Sequence, residues 1–99
     1  MRLSKKELEA IKKTFLPLNT DVYLFGSRID NSAKGGDIDI LLFLDLDEDK
    51  RFELIRKLSL DFFRECEEKI DIVIFNKENL SNSDLAFLNT IKKAKINFS

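Results

Sequence analysis

The chain has no histidine and no tryptophan, and only one cysteine, one proline and three glycines in 99 residues. Each shortage excludes something. Without histidine there is no side chain whose ordinary titration falls near neutral pH and no imidazole for zinc, so any chemistry must run on carboxylates, hydroxyls, lysines or a hard metal ion. Cys66 has no partner for an internal disulfide; it lies at helical spacing among apolar residues and reads as a small core side chain in a reduced protein. No apolar run approaches the ~20 residues that cross a bilayer, and Met1 to Lys13 is charged and periodic, unlike a signal peptide. A cytoplasmic location without a membrane partner is therefore expected. An excess of one charge is missing too: 17 basic residues face 18 acidic ones, for a net charge of -1. Such a balance supplies no broad field to hold a polyanion against salt, which argues against direct nucleic-acid binding.

What is present is a core. Hydrophobic residues make up 43% of the chain and nine are Phe, enough for one compact domain over residues 1–99 but not for two. No separate substrate-binding domain is expected.

The pattern reads as alternating helices and strands. Ser4 followed by Glu7 has the form of a capping box, and Leu8, Ile11 and Phe15 form an apolar stripe that stops near Pro17, predicting a helix over 4–15. Asp21 to Phe25 reads as a short strand ending at Gly26, and Ile29 to Gly36 as a helical turn running into a loop. From Asp37 to Leu44 apolar residues occupy both alternating sets beyond the aspartates, the mark of a strand covered on both faces. Phe52, Ile55, Leu58, Phe62 and Cys66 recur every three or four residues and predict a long helix ending near Glu67 to Lys69. Ile70 to Phe75 is a further strand, and Ser81 or Ser83 can cap a last helix carrying Leu85, Leu88 and Ile91. The expected fold is α/β (α+β): a small mixed β-sheet with helices packed on it.

Three fragments carry chemistry. Side chains alternate along a strand, so Asp37 and Asp39 project from one face, roughly 6 to 7 Å apart. At that distance and an effective dielectric near 20, two carboxylates repel by about 3 kcal/mol, a cost that a proton or cation between them removes. Magnesium suits the pair, because it takes oxygen ligands and uses one or two carboxylates besides waters and phosphates. Asp71 stands near the start of another apolar strand, so three carboxylates converge if the two strands are neighbours. Phe25-Gly26-Ser27-Arg28 follows a strand and precedes a helical turn; Gly26 allows close backbone approach, and the Ser27 hydroxyl and following amides can donate to phosphate oxygens, with Arg28 a further cation.

Leu24-Phe25-Gly26-Ser27-Arg28, Gly36-Asp37-Ile38-Asp39-Ile40-Leu41 and Ile70-Asp71-Ile72-Val73 together resemble the DNA polymerase beta-like nucleotidyltransferases, and within them the short minimal nucleotidyltransferases of bacteria and archaea. The likeness spans nearly the whole chain, with Leu88 to Phe98 similar to the closing helix and short tail of those proteins. It implies that Asp37 and Asp39 hold two magnesium ions, that Asp71 completes the site of the ion activating the acceptor hydroxyl, and that Gly26 and Ser27, with Arg28, hold the triphosphate of ATP. Two departures stand out. Many relatives have a small hydroxyl residue where this chain has Gly36, and a basic-glycine pair where it has Ile29-Asp30-Asn31. Lys34 is a candidate replacement for the missing base, weighed against an ordinary solvated lysine.

The function implied by the resemblance is metal-dependent transfer of a nucleoside monophosphate, AMP from ATP, to a hydroxyl on a partner macromolecule. In the family such minimal domains are similar to antitoxins of toxin-antitoxin systems that add AMP to a tyrosine of a HEPN-domain toxin, which makes a HEPN protein the expected partner. The alternative is a non-catalytic antitoxin or binding module that neutralises its partner by contact, for which Leu85, Phe87, Leu88, Ile91, Ile96 and Phe98 offer more apolar surface than one helix face needs.

Overall fold

The computed structural model describes residues 1–30 and 36–98. Helix α1, Lys5–Phe15, begins with the expected capping box: the Ser4 hydroxyl accepts from the Glu7 N–H at 3.1 Å, and the Glu7 carboxylate accepts from the Ser4 N–H at 2.8 Å. Two of the orphan amides at the helix start are thereby satisfied. A 3-10 turn, Leu16–Leu18, follows with Pro17 in its first turn, and Asn19 in the left-handed region turns the chain back toward the sheet.

Strand β1 is Tyr23–Phe25, a second 3-10 turn is Gly26–Ile29, and β2 is Ile38–Phe43. Helix α2, Glu48–Cys66, is capped by the Asp47 carboxylate, which accepts from the Lys50 N–H, and ends at Glu67 in the left-handed region. Then come β3 (Ile70–Phe75), α3 (Asn82–Thr90), capped by Ser81 and Asp84 in a second box, and β4 (Lys93–Lys95).

The four strands form one mixed sheet in the order β3-β2-β1-β4, with β3 parallel to β2 and both neighbours of β1 antiparallel to it. The parallel pair requires a crossover, and α2 supplies it. One face of the sheet carries Leu24, Ile38, Ile40, Leu42, Ile72 and Ile74 into the core, where they meet Ala10, Ile11 and Phe15 of α1 and Leu58, Phe62 and Cys66 of α2. On the other face Phe87 of α3 sets its ring edge-to-face against Phe25 and Phe75 at 5.7 and 5.8 Å, so α3 covers the apolar rows beyond the aspartates. That second cover leaves Leu41 with no exposed surface and accounts for the apolar character of both faces of β2. No described helix is long and apolar enough to cross a membrane.

Three expectations are corrected. Leu88 to Phe98 is only in part the closing helix and short tail expected: α3 stops at Thr90 and the chain returns as β4 beside β1. Lys-Ala-Lys has weak intrinsic strand preference, and it is pairing with β1, a long-range effect, that makes it extended. The apolar surplus of the C-terminal segment is also largely used, since Ile96 is buried, Phe87 packs on the sheet, Leu88, Ile91 and Phe98 are half-buried, and Leu85 alone of that set stays exposed. The turn after β1 spans Gly26–Ile29, earlier than expected; the loop with Lys34 lies outside the described residues.

Candidate functional site

The site is assembled at the end of the sheet where β2 and β3 begin and β1 ends. Parallel register places Asp39 directly beside Asp71, and antiparallel register places Phe25 on the other side of Asp39. Neighbouring strands are about 4.8 Å apart, so Asp39 and Asp71 are adjacent carboxylates on one face. Asp37 stands one residue before β2, exposed and in the same alternation. Asp39 is half-buried, whereas Asp71 opens to solvent at the edge of the sheet.

The electrostatics follow from this crowding. Burial, then the charges of Asp71 and Asp37, and finally a hydrogen bond with Asp71 push the Asp39 carboxyl above its ordinary range. An all-oxygen donor set strained by its own charge fits a hard divalent cation. Among the described residues, however, no three acidic, cysteine or histidine side chains are drawn together closely enough to hold an ion as they stand. Asp39 and Asp71 form the close pair, and Asp37 acts on Asp39 through charge alone.

Two glycines lock the Gly26-Ser27 turn onto this pair. Gly26 has φ +76°, and a Cβ there would run into the Asp39 carboxylate, whose Cγ would lie 3.1 Å away. Gly36 has φ +88°, and a Cβ there would meet the Ser27 hydroxyl. The turn therefore lies against Asp39 through Gly26 and against the residue preceding Asp37 through Ser27. This contact explains one departure seen in the sequence: with Ser27 seated on it and its backbone left-handed, position 36 demands glycine. Gly26→Ala should cost about 1 to 2 kcal/mol from φ alone, lowering Tm by roughly 4 to 16 °C in a domain of this size. A thermal melt checks it, and an unchanged Tm would show that Gly26 is neither left-handed nor held against Asp39.

Arg28 is placed differently from the sequence expectation. Its guanidinium turns inward: Nη1 donates to Glu7 Oε1 at 2.9 Å and to the Arg2 carbonyl at 3.1 Å, Nε donates to the Gly36 carbonyl at 3.0 Å, and Nη2 lies 3.9 Å from Glu68 Oε1. Both charged groups of the central pair are nearly excluded from water, with side chains 11% and 8% exposed for Arg28 and Glu7. Burial alone would raise the Glu7 carboxyl, but hydrogen bonds from Arg28 and the Ser4 N–H outweigh it and bring the group down to about 2. Glu68 moves the other way, raised first by its hydrogen bond with Glu7 and then by burial. Arg28 thus ties α1, the Gly-Ser turn and the approach to β2 into one unit.

The sequence reading missed Glu7 in this role, because its capping position already explained it, and missed Lys93. Register puts Lys93 beside Phe25, hence in the same row and on the same face as Asp39 and Asp71, where it stands exposed. Lys95, one row away, is engaged with Asp21 at 3.1 Å.

The family model described as Polymerase beta, Nucleotidyltransferase matches residues 9–96. No curated protein matches the sequence.

Proposed function

Because the chain belongs to the polymerase beta nucleotidyltransferase family, we propose that it transfers AMP from ATP to a hydroxyl presented by a partner protein, in the manner of an antitoxin that adenylylates a tyrosine of a HEPN-domain toxin. The observation that carries the reading is the register of Asp39 beside Asp71 with the Gly26 turn pressed against Asp39. A turn able to hold phosphates and a carboxylate pair in need of a cation are in contact.

Asp37, Asp39 and Asp71 are the residues that would hold two magnesium ions. Bound there, the metal would supply charge neutralisation and alignment of the phosphates, which is most of what phosphoryl-type transfer requires. The chain's own parts divide the remaining work. Gly26 and Ser27 receive the triphosphate through backbone amides and the hydroxyl, and the missing Cβ of Gly26 lets the turn lie directly against Asp39. Asp71, exposed on the face that carries Asp39, is placed where an incoming hydroxyl arrives and can accept its proton. Arg28 fixes the turn from behind while its donors stay with Glu7, Arg2 and Gly36.

A protein acceptor is favoured by exposure. Asp37, Asp71, Gly26 and Ser27 are all open to solvent, a surface that a partner's side chain can approach directly.

The test uses the protein with its co-purifying partner, magnesium and ATP labelled at the α-phosphate. Label should appear on the partner with wild type and vanish with Asp39→Asn. If none of the four nucleotides transfers label, and the variant inhibits the partner as well as wild type, the protein acts by contact and the catalytic reading is lost.

A further inference from the structure

The sheet has two edges of opposite character. At one, β4 presents Lys93 and Lys95, charges of the kind that discourage pairing with another chain. At the other, β3 presents Ile-Asp-Ile-Val-Ile-Phe, six residues with a single charge and neither lysine nor proline.

The hydrogen bonding shows which backbone groups face out. The Leu44 N–H donates to the Phe75 carbonyl at 3.0 Å, so Phe75 directs its polar backbone groups toward β2. In a parallel ladder both groups of one residue point the same way and successive residues alternate. Asp71 and Val73 therefore face β2 like Phe75, while the N–H and C=O of Ile70, Ile72 and Ile74 point away from the sheet, where no described strand lies.

Helix α2 packs against β3 and carries exposed phenylalanines on the flank turned away from α1. Its Glu65 forms an ion pair with Lys13 of α1 at 3.4 Å, which fixes the side of α2 that faces α1. At 100° per residue, Phe52, Ser59 and Phe63 fall on the opposite flank, beside the stripe of half-buried Ile55 and buried Phe62 and Cys66. Phe52 and Phe63 remain 61% and 50% exposed, and Leu60, near them on the outer surface, 52%.

We infer that β3 pairs with β3 of a second copy of this chain, antiparallel and about a two-fold axis, making one continuous eight-stranded sheet with the two α2 helices side by side above the junction. The occupant follows from how the edge matches itself. In an antiparallel pair, two residues exchange both backbone bonds only when each points its polar groups at the other. That parity permits an axis through any residue from Asp71 to Ile74; an axis through Asp71 would set the two carboxylates opposite each other, and axes through Ile72 and Val73 pair more of the strand than one through Ile74. Through Val73, Ile72 of each copy bonds Ile74 of the other; through Ile72, Ile70 bonds Ile74 and the two Ile72 residues bond each other. Charge also matches. In both registers Asp71 lies opposite an apolar residue, Phe75 or Val73, and never opposite its twin, which would be destabilising. With a net charge of -1, no long-range repulsion keeps two copies apart. A two-fold axis normal to the sheet also preserves its faces, so both carboxylate rows open on the same side of the dimer.

The test is sedimentation or light scattering of the full chain from micromolar to about 200 µM, read with amide exchange. Wild type should run at twice its 11.5 kDa mass. The amides of Ile72 and Ile74 should be protected in the dimer and exchange faster on dilution. Phe63→Glu and Phe52→Glu change exposed side chains, so circular dichroism should be unaltered while the dimer dissociation constant rises by roughly 30-fold or more. A wild type that stays monomeric at the highest concentration overturns the proposal. So does a dimer in which those amides exchange as fast as in the variant. An edge protected only when a different protein is bound would assign it to that partner and equally exclude self-pairing.

Discussion

Asp39→Asn should abolish nucleotidyl transfer and, in the absence of metal, make the protein more stable than wild type. The two effects have one cause. Asp39 lies beside Asp71 in register, and its carboxyl is raised by burial and by the charges of Asp71 and Asp37. A carboxyl raised above its unfolded value is stabilising while protonated, below the ordinary value near 3.8, and that contribution is lost as pH rises through the raised folded value. At neutral pH the metal-free protein therefore carries the full repulsion, and an amide removes it. The Tm of the variant should match wild type near pH 3.5 and exceed it by a margin that grows to a plateau by pH 7. Half-exposed groups are screened, so the margin corresponds to on the order of 0.5 to 1 kcal/mol, or roughly 2 to 8 °C. Magnesium should raise the Tm of wild type at pH 7 and have much less effect on the variant, while transfer falls by at least ~10²- to 10³-fold, as when another preorganised charge-stabilising group is removed. A variant less stable than wild type at pH 7 without metal, or equal magnesium shifts in the two proteins, would show that the row is not a cation site.

Most of this arrangement was legible because it depends on short-range rules. Alternation put Asp37 and Asp39 on one face, the apolar run of β2 announced cover on both sides, and the capping boxes marked the starts of α1 and α3. Whether Asp71 joins the pair depended on strand order, which alternation does not encode; the crossover through α2 permits a parallel neighbour, and the sheet sets β3 beside β2 with Asp71 in register with Asp39. β4 was illegible for a related reason. Lys93-Ala94-Lys95 has no local pattern of a strand and is extended only because Leu24 and its neighbours offer an edge. Arg28 shows the limit most clearly. An arginine after a Gly-Ser turn looks like a phosphate ligand, and only the partner 21 residues earlier in the chain, Glu7, reveals where its donors go.

Glycine carries the same lesson in the other direction. Gly36 looked like a departure from the family pattern, a missing hydroxyl. In the fold it is the seat of the Ser27 side chain, so a hydroxyl of the turn lies against the residue preceding Asp37 and position 36 makes room for it. The turn and the carboxylate strand are thus held by two glycine contacts in front and by one arginine behind, and the second of these can be tested separately from the chemistry.

Arg28→Ala should be the most destabilising change near the site. It leaves the Glu7 carboxylate, 8% exposed, without its cation, and removing one member of a buried pair typically costs about 3 to 5 kcal/mol. It also leaves the Gly36 carbonyl without its donor, so the Gly-Ser turn loses its anchor. Arg28→Lys keeps the charge, but an ammonium cannot bond Glu7, the Arg2 carbonyl and the Gly36 carbonyl from one planar fork. That variant should recover part of the stability while its Michaelis constant for ATP remains raised, separating the anchoring of the turn from simple charge balance. Acid provides an independent reading. The Glu7 carboxyl is lowered from 4.5 to about 2, so its contribution is complete above the unfolded value and is lost as pH falls from about 5 toward 2. On the order of 2 to 3 kcal/mol is at stake. Glu68 shifts in the opposite direction through its bond to Glu7, so the comparison is cleanest in a Glu68→Gln background. There, Glu7→Gln should be far less stable than its parent at pH 7 and nearly equal to it by pH 2. Two stability curves running parallel across that range would mean that Glu7 and Arg28 are not the buried pair that fixes the turn.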